Sequence, residues 1–302
     1  MRFSIPTFKR WFKFATRLLR RFNADGAMNL AGALSFYFLM SIFPLALLGL
    51  SILGFILGNQ RDAVGLVTSL GRIGQIMPEG SIEIREVLNS LISGKSFIGG
   101  VGLLLLAWFA TGVFFTVEVS VNKIFRTGKK RGFFKRTGVV YLFMLVAGGL
   151  LVASIALTVV QAMIADLSVS LFGIDPKDIP LLWNLLVSLF IPALMMMMFT
   201  IIYKVGPNID VRWKTAFAGG FFAAILWEIS RRLFGWYLSN LAVYNKLYGA
   251  LGAIVALLIW LFYSMNIFLL GAEFAAIKKE QQDKKNIKEE NIKNEAKQNA
   301  DV

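Results

Sequence analysis

The sequence predicts an all-α membrane protein: six transmembrane helices, both termini cytoplasmic, and a short helical loop on the external face. Three observations carry this expectation. Six long apolar stretches run over 31–57, 98–121, 138–165, 181–203, 213–238 and 249–275. Each reaches or passes the roughly 20 residues that an α-helix needs to cross the hydrocarbon core of a bilayer. The loops between them alternate between strongly basic and charge-balanced. Hydrophobic residues make up 57% of the chain, above the roughly 45–50% usual for soluble domains, so a soluble core does not account for them. The spans form one membrane domain, 25–277, between an N-terminal segment, 1–24, and a C-terminal tail, 278–302.

Residues 3–23 read FSIPTFKRWFKFATRLLRRFN. Aromatic and aliphatic side chains interleave with Arg and Lys. This is the pattern of an amphipathic helix lying in the interface and attracted to anionic lipid headgroups. A basic flank that only sets topology accounts for the same charges. Pro44 in the first span and Pro192 in the fourth each remove a backbone donor, which predicts a kink.

In lipid, small residues let helices approach closely. Ala216, Gly220 and Ala224 recur every four residues on one face of span five, widened by Gly219 and Ala223. Gly54 and Gly58 close span one with the same spacing, and Gly249 with Ala253 opens span six. These rows predict helix packing. In the 59–97 loop, Leu66, Leu70, Ile73 and Ile76 have near-helical spacing, as do Ile84, Val87, Leu88, Leu91 and Ile92. Two short helices capping the external face are expected there. The 278–302 tail is Lys, Glu, Asn and Gln with almost no large apolar residue. It is expected to extend the last helix by a turn or two and then to be disordered and cytoplasmic. Trp108, Trp183, Trp213, Trp236, Tyr203 and Tyr237 fall mostly near span ends, as in an aromatic belt.

The charges set the orientation. The N-terminal segment is basic. The loop after span two carries Lys123, Arg126, Lys129, Lys130, Arg131, Lys135 and Arg136 with no acid. The loop after span four carries Lys204, Arg212 and Lys214 against Asp210. With six spans these three regions share one side, and the positive-inside rule makes it the cytoplasmic side. The net charge of +14 is therefore explained without nucleic acid. The expected partner is the lipid bilayer, with anionic headgroups at the basic N-terminus; a homo-oligomer or an envelope protein partner stays open. The chain has no Cys and no His. That excludes disulfides, thiol nucleophiles, His-based proton relays and the usual zinc sites. No cofactor or metal is expected, and no phosphate-binding loop of an ATPase is present.

Charges within the hydrocarbon layer are costly, so each needs an account. Glu228, Arg231 and Arg232 have spacings of three and four, which put the acid beside both bases on one helix face. Glu228 and Arg232 continue the row of Ala216, Gly220 and Ala224, so the cluster is expected to point into the bundle or a wet cavity. One acid against two bases leaves a spare positive charge, suited to an anionic headgroup or solute. A structural ion pair, or arginines snorkelling to the interface, explains the same residues. Glu118 and Asn122 lie four apart near the end of span two, and Glu273 near the end of span six. These three are candidates to meet in the bundle; for Glu273, an interfacial pairing with lysine is the plainer account. Asn266 is expected to hydrogen-bond across helices.

Several of these stretches together resemble the YihY/BrkB family of bacterial inner-membrane proteins, formerly labelled ribonuclease BN. They are Asn29 to Pro44 (NLAGALSFYFLMSIFP), Val121 to Ile124, Trp227-Glu228 with Arg231 and Phe234 to Tyr237, Tyr248 to Gly252, and Leu270 to Glu273. The resemblance covers roughly 25–277. It implies a six-helix inner-membrane protein without a settled activity. The old nuclease label does not suit this chain, because a metal-dependent nuclease of that kind needs a His-rich zinc motif. The functional expectation is a multi-pass envelope protein, not an enzyme, that moves an anionic lipid or amphiphile between leaflets. The alternative is a non-transporting scaffold acting through the 59–97 loop.

Overall fold

The computed structural model describes residues 5–56, 95–128, 131–166, 180–240 and 242–300. They form helices only: α1 (Ile5–Ala24), α2 (Ala27–Ile56), α3 (Lys95–Ile124), α4 (Phe133–Asp166), α5 (Pro180–Val205), α6 (Trp213–Asn240) and α7 (Ala242–Ala300). The expected helices of the 59–97 loop fall largely outside the described residues, as does Gly58. The backbone of Gly54 lies in α2. Two compact units emerge, one of residues 1–35 with 114–302, the other of 36–113.

Among the described residues four stretches are long and apolar enough to cross a membrane: Ala27–Leu45, Gly100–Ile124, Phe133–Ser154 and Ile254–Glu295. The fourth expected span contributes a shorter apolar stretch, Leu189–Val205. The residues of the fifth expected span lie in the helix α6, which is not among these apolar stretches and whose second half carries Glu228, Arg231 and Arg232. Pro44 and Pro192 sit inside helices that continue on both sides of them.

In the smaller unit α2 and α3 meet at Gly112. A Cβ there would lie 2.8 Å from the ring of Tyr37, so only glycine allows the approach. Pro44 is fully buried in this unit.

In the larger unit α6 packs between α5 and α7 through small residues. A Cβ on Gly219 would lie 2.7 Å from the Ala275 Cβ and 2.8 Å from the Gly271 carbonyl oxygen. A Cβ on Gly271 would lie 2.6 Å from the Ala223 Cβ. Two Gly-x-x-x-Ala rows, one on each helix, thus interlock. On the α5 side, a Cβ on Gly220 would run into Thr200 and come 3.0 Å from the Met196 carbonyl oxygen. Ala216 and Ala224 are buried on the same helix. Backbones this close gain dispersion contact that a Leu–Leu face in lipid does not supply.

Three expectations change. Tyr203 does not belong to an aromatic belt. It is fully buried, its ring stacks on Phe199 and Phe268, and its hydroxyl donates to the Phe268 carbonyl. A buried phenol needs such a partner, and a carbonyl of the neighbouring helix provides it. Asn266 bonds locally, its amide donating to the Phe262 carbonyl one turn back at 2.7 Å. The tail does not give way to disorder after a turn or two: α7 runs to Ala300. Its residues are good helix formers, and Lys279–Asp283, Lys284–Glu280 and Lys285–Glu289 pair one turn apart.

Residues Ile5–Ala24 of the basic N-terminal segment form the helix α1. Pro6 lies in its first turn, where no backbone donor is needed. Gly26, at φ +66°, ends it in the left-handed conformation and turns the chain into α2. Part of its apolar face is spent on protein: Leu18 and Phe14 pack with Phe274 and Ile277 of α7. Phe12 and Leu19 remain exposed.

Candidate functional site

On α6, Glu228 accepts from both arginines. Arg231 donates through Nε (2.9 Å) and Nη2 (2.8 Å), and Arg232 through Nε (2.8 Å). The carboxylate is 18% exposed, whereas the guanidinium side chains are 49% and 73% exposed. The acid therefore leans inward and the bases face outward, rather than all three pointing into the bundle. The physical reason is local: a residue three or four positions on reaches the carboxylate from the helix's outer flank without any neighbouring helix. Beside this cluster, between α6 and α7, an apolar groove of about 530 Å³ is lined by Ser230, Leu233, Phe234, Tyr237, Trp260 and Tyr263.

Glu273 is fully buried on α7, and its partner is not a lysine. Arg21 of α1 approaches its Oε2 with Nε at 3.2 Å. Asp25 faces the same carboxylate and is itself paired with Arg126 at 3.1 Å. Arg21 also donates to Glu280 at 2.8 Å, and Arg17 does so at 2.9 Å. The basic N-terminal helix is thus clamped to the extension of α7 by charge as well as by packing.

Glu118 is buried on α3 and takes other partners, so it does not meet Glu273. Arg136 of α4 pairs with its Oε2 at 3.0 Å, and the Asn122 amide donates to its Oε1 at 2.7 Å. The Arg136 guanidinium also lies 3.5 Å above the Phe115 ring. Asn122 is a junction: it donates to the Gly206 carbonyl (3.2 Å) and accepts from the Asn208 backbone (2.7 Å) and the Thr127 hydroxyl (2.8 Å). It joins the end of α3 to the turn between α5 and α6.

Reading the sequence missed Arg131 as anything but a topology charge. The structure turns it onto that same α5–α6 turn. Its Nη2 donates to the carbonyls of Val205 (2.7 Å) and Pro207 (2.8 Å), and its Nε to the Asn208 side-chain oxygen (3.3 Å). Burial pulls this guanidinium below its ordinary range, and the Glu118 charge pulls it back up. Arginine stays charged under either influence. Arg126 closes α3 in the left-handed conformation, at φ 53°. A side chain there is strained and is held by surrounding contacts, here the Asp25 pair and a Thr127-to-Asn122 backbone bond of 3.1 Å. The only signal for these roles was the density of basic residues over 123–136. Among the described residues no cluster of acids is arranged to hold a metal ion.

The family model described as virulence factor BrkB matches residues 18–296. Three relatives are UPF0761 membrane proteins. That of Acinetobacter baylyi is 31% identical over 88% of this chain and 62% of its own length. That of Tolumonas auensis is 30% identical over 87% of this chain and 84% of its own. That of Pseudoalteromonas translucida is 29% identical over 82% and 79%. The chain thus spans less than two thirds of the length of some of its relatives. No solved structure matches. The apolar helices, the matched span and these relatives lead to one conclusion: the chain belongs to the virulence factor BrkB family of membrane proteins.

Proposed function

We propose that this protein binds an anionic lipid or amphiphile at the α6 cluster and moves it between leaflets. In this reading the chain crosses a bacterial inner membrane six times, with the basic segments and both termini in the cytoplasm. One observation carries the proposal. Two exposed guanidiniums share a single carboxylate in the second half of α6, beside an aromatic groove. A charge in the membrane costs free energy and is retained where it has work to do. The spare positive charge suits a phosphate headgroup, and the groove suits an acyl chain. No nucleotide-binding loop is present in the sequence, so movement is passive, ion-coupled or driven by a partner.

The test is lipid scrambling in vesicles that contain the purified protein and a fluorescent lipid. An anionic phosphatidylglycerol probe should equilibrate faster than a zwitterionic phosphatidylcholine probe. Arg231→Gln with Arg232→Gln should remove that preference while leaving the protein folded. Equilibration no faster than in protein-free vesicles sinks the translocator reading and leaves the scaffold.

A further inference from the structure

A second cluster of cations, separate from the α6 site, surrounds a cavity of about 320 Å³ where α3 ends and α4 begins. Its charged lining is Glu118, Lys123, Arg126, Arg131 and Arg136. The pairings within it are unequal. Glu118 is taken by Arg136, and Arg126 is taken by Asp25. Arg131 is held by carbonyl and amide oxygens, which orient it without neutralising it. Its Nη1 is buried and makes no hydrogen bond. Among the described residues Lys123 has no carboxylate partner, although its side chain lines the same cavity. Four cations against Glu118 and Asp25 leave a formal excess of two positive charges at one small opening.

The location matters as much as the charge. The apolar stretch of α3 stops at Ile124, and that of α4 starts at Phe133. The cavity therefore lies where the hydrocarbon gives way to headgroups, and Phe133 and Phe134 beside it are exposed. Basic pockets between membrane helices at that depth suit phosphate headgroups. A phosphate monoester carries about −1.5 to −2 charges at neutral pH and three acceptor oxygens. A phosphodiester carries one charge and leaves the excess half met.

We propose that this cavity is a phosphomonoester site in which Lys123 binds the phosphate oxygens and the Arg131 guanidinium, lining the same cavity, adds its positive charge beside them. Arg126 and Arg136, already paired, shape the rim, and Asn122 fixes the α5–α6 turn that holds Arg131. The ligand is a terminal phosphate, either on a lipid headgroup or on a small soluble molecule. This site does not depend on the α6 cluster. Binding here should survive Arg231→Gln, so the two proposals fail separately.

The experiment uses the full-length protein in nanodiscs or detergent. Binding is measured to phosphatidylcholine vesicles doped with phosphatidic acid, to the same vesicles doped with phosphatidylglycerol, and to inorganic phosphate and glycerol 3-phosphate in solution. Phosphatidic acid should bind more tightly than phosphatidylglycerol. Lys123→Gln should weaken that binding at least about tenfold, the loss expected for one charge-assisted bond. Arg131→Gln also releases the 205–208 turn, so it is the less clean variant; Lys123→Gln removes a cation that has no carboxylate partner among the described residues. Competition by glycerol 3-phosphate assigns a soluble ligand, and its failure alongside phosphatidic acid binding assigns a lipid one. Equal binding of the two vesicle types, unchanged by Lys123→Gln, overturns the proposal. So does an absence of binding to all four probes.

Discussion

Glu273 and Glu228 are both carboxylates in apolar helices paired with arginine, yet the two pairs differ in almost every physical respect. Glu273 is fully buried, and the cation comes from α1, at the other end of the chain. Glu228 is partly exposed, and both its cations come from its own helix. The first pair is a statement about tertiary structure, because it exists only if α1 docks on α7. The second exists in any α6 that is helical. Buried, cross-element pairs tie a fold together, whereas local, exposed ones remain available for a ligand.

The largest expected effect tests the first half of that contrast. Arg21→Leu leaves a buried carboxylate without its ion pair, and breaking such a pair costs about 3–5 kcal/mol. Unfolding in detergent should show that loss. The double variant Arg21→Leu with Glu273→Leu should recover most of it, because two well-packed apolar groups can replace a buried pair at little cost. A single-variant loss below about 1 kcal/mol, the scale of a surface pair, would remove the contrast altogether.

A smaller effect comes from the helix contact one half-turn from Glu273. Gly271→Ala places a methyl group 2.6 Å from the Ala223 Cβ and from the Tyr203 hydroxyl. Overpacking of this kind costs about 1–3 kcal/mol. Ala223→Gly in the same chain should return part of it by opening the facing row. If the double variant is no more stable than Gly271→Ala alone, the strain lies at Tyr203 and the two Gly-x-x-x-Ala rows do not interlock as described.

The same contrast explains what was legible in the sequence. The apolar runs gave the helices, because periodicity and length are local properties. The α6 cluster was legible for the same reason: spacings of three and four determine who meets whom on one helix. Arg21 and Glu280 are 259 positions apart, and no local pattern announces their contact. Lys123 and Arg131 were read only as topology charges, because their convergence depends on the α5–α6 turn coming back to the end of α3. Tyr203 failed in the opposite direction. Its place near a span end suggested an interface, but a carbonyl on α7 lets the ring enter the core. The α7 extension was misjudged because low hydrophobicity argues against burial but not against a helix carrying ion pairs.

The smallest expected effect sharpens the second half of the comparison. Arg232 is 73% exposed and shares its acceptor with Arg231. Its removal leaves Glu228 still paired, so the carboxylate is not orphaned. Exposed pairs one helical turn apart contribute about 0.3–0.5 kcal/mol, and long charged side chains lose entropy in forming them. Arg232→Gln should therefore unfold in detergent within about 0.5 kcal/mol of the unaltered protein. A loss of several times that size would mean that Arg232 reaches a partner on another helix, and the α6 cluster would then belong with Glu273 as a structural tie. A stable Arg232→Gln protein keeps the cluster free for an external anion, and any change in lipid handling can then be assigned to the site rather than to the fold.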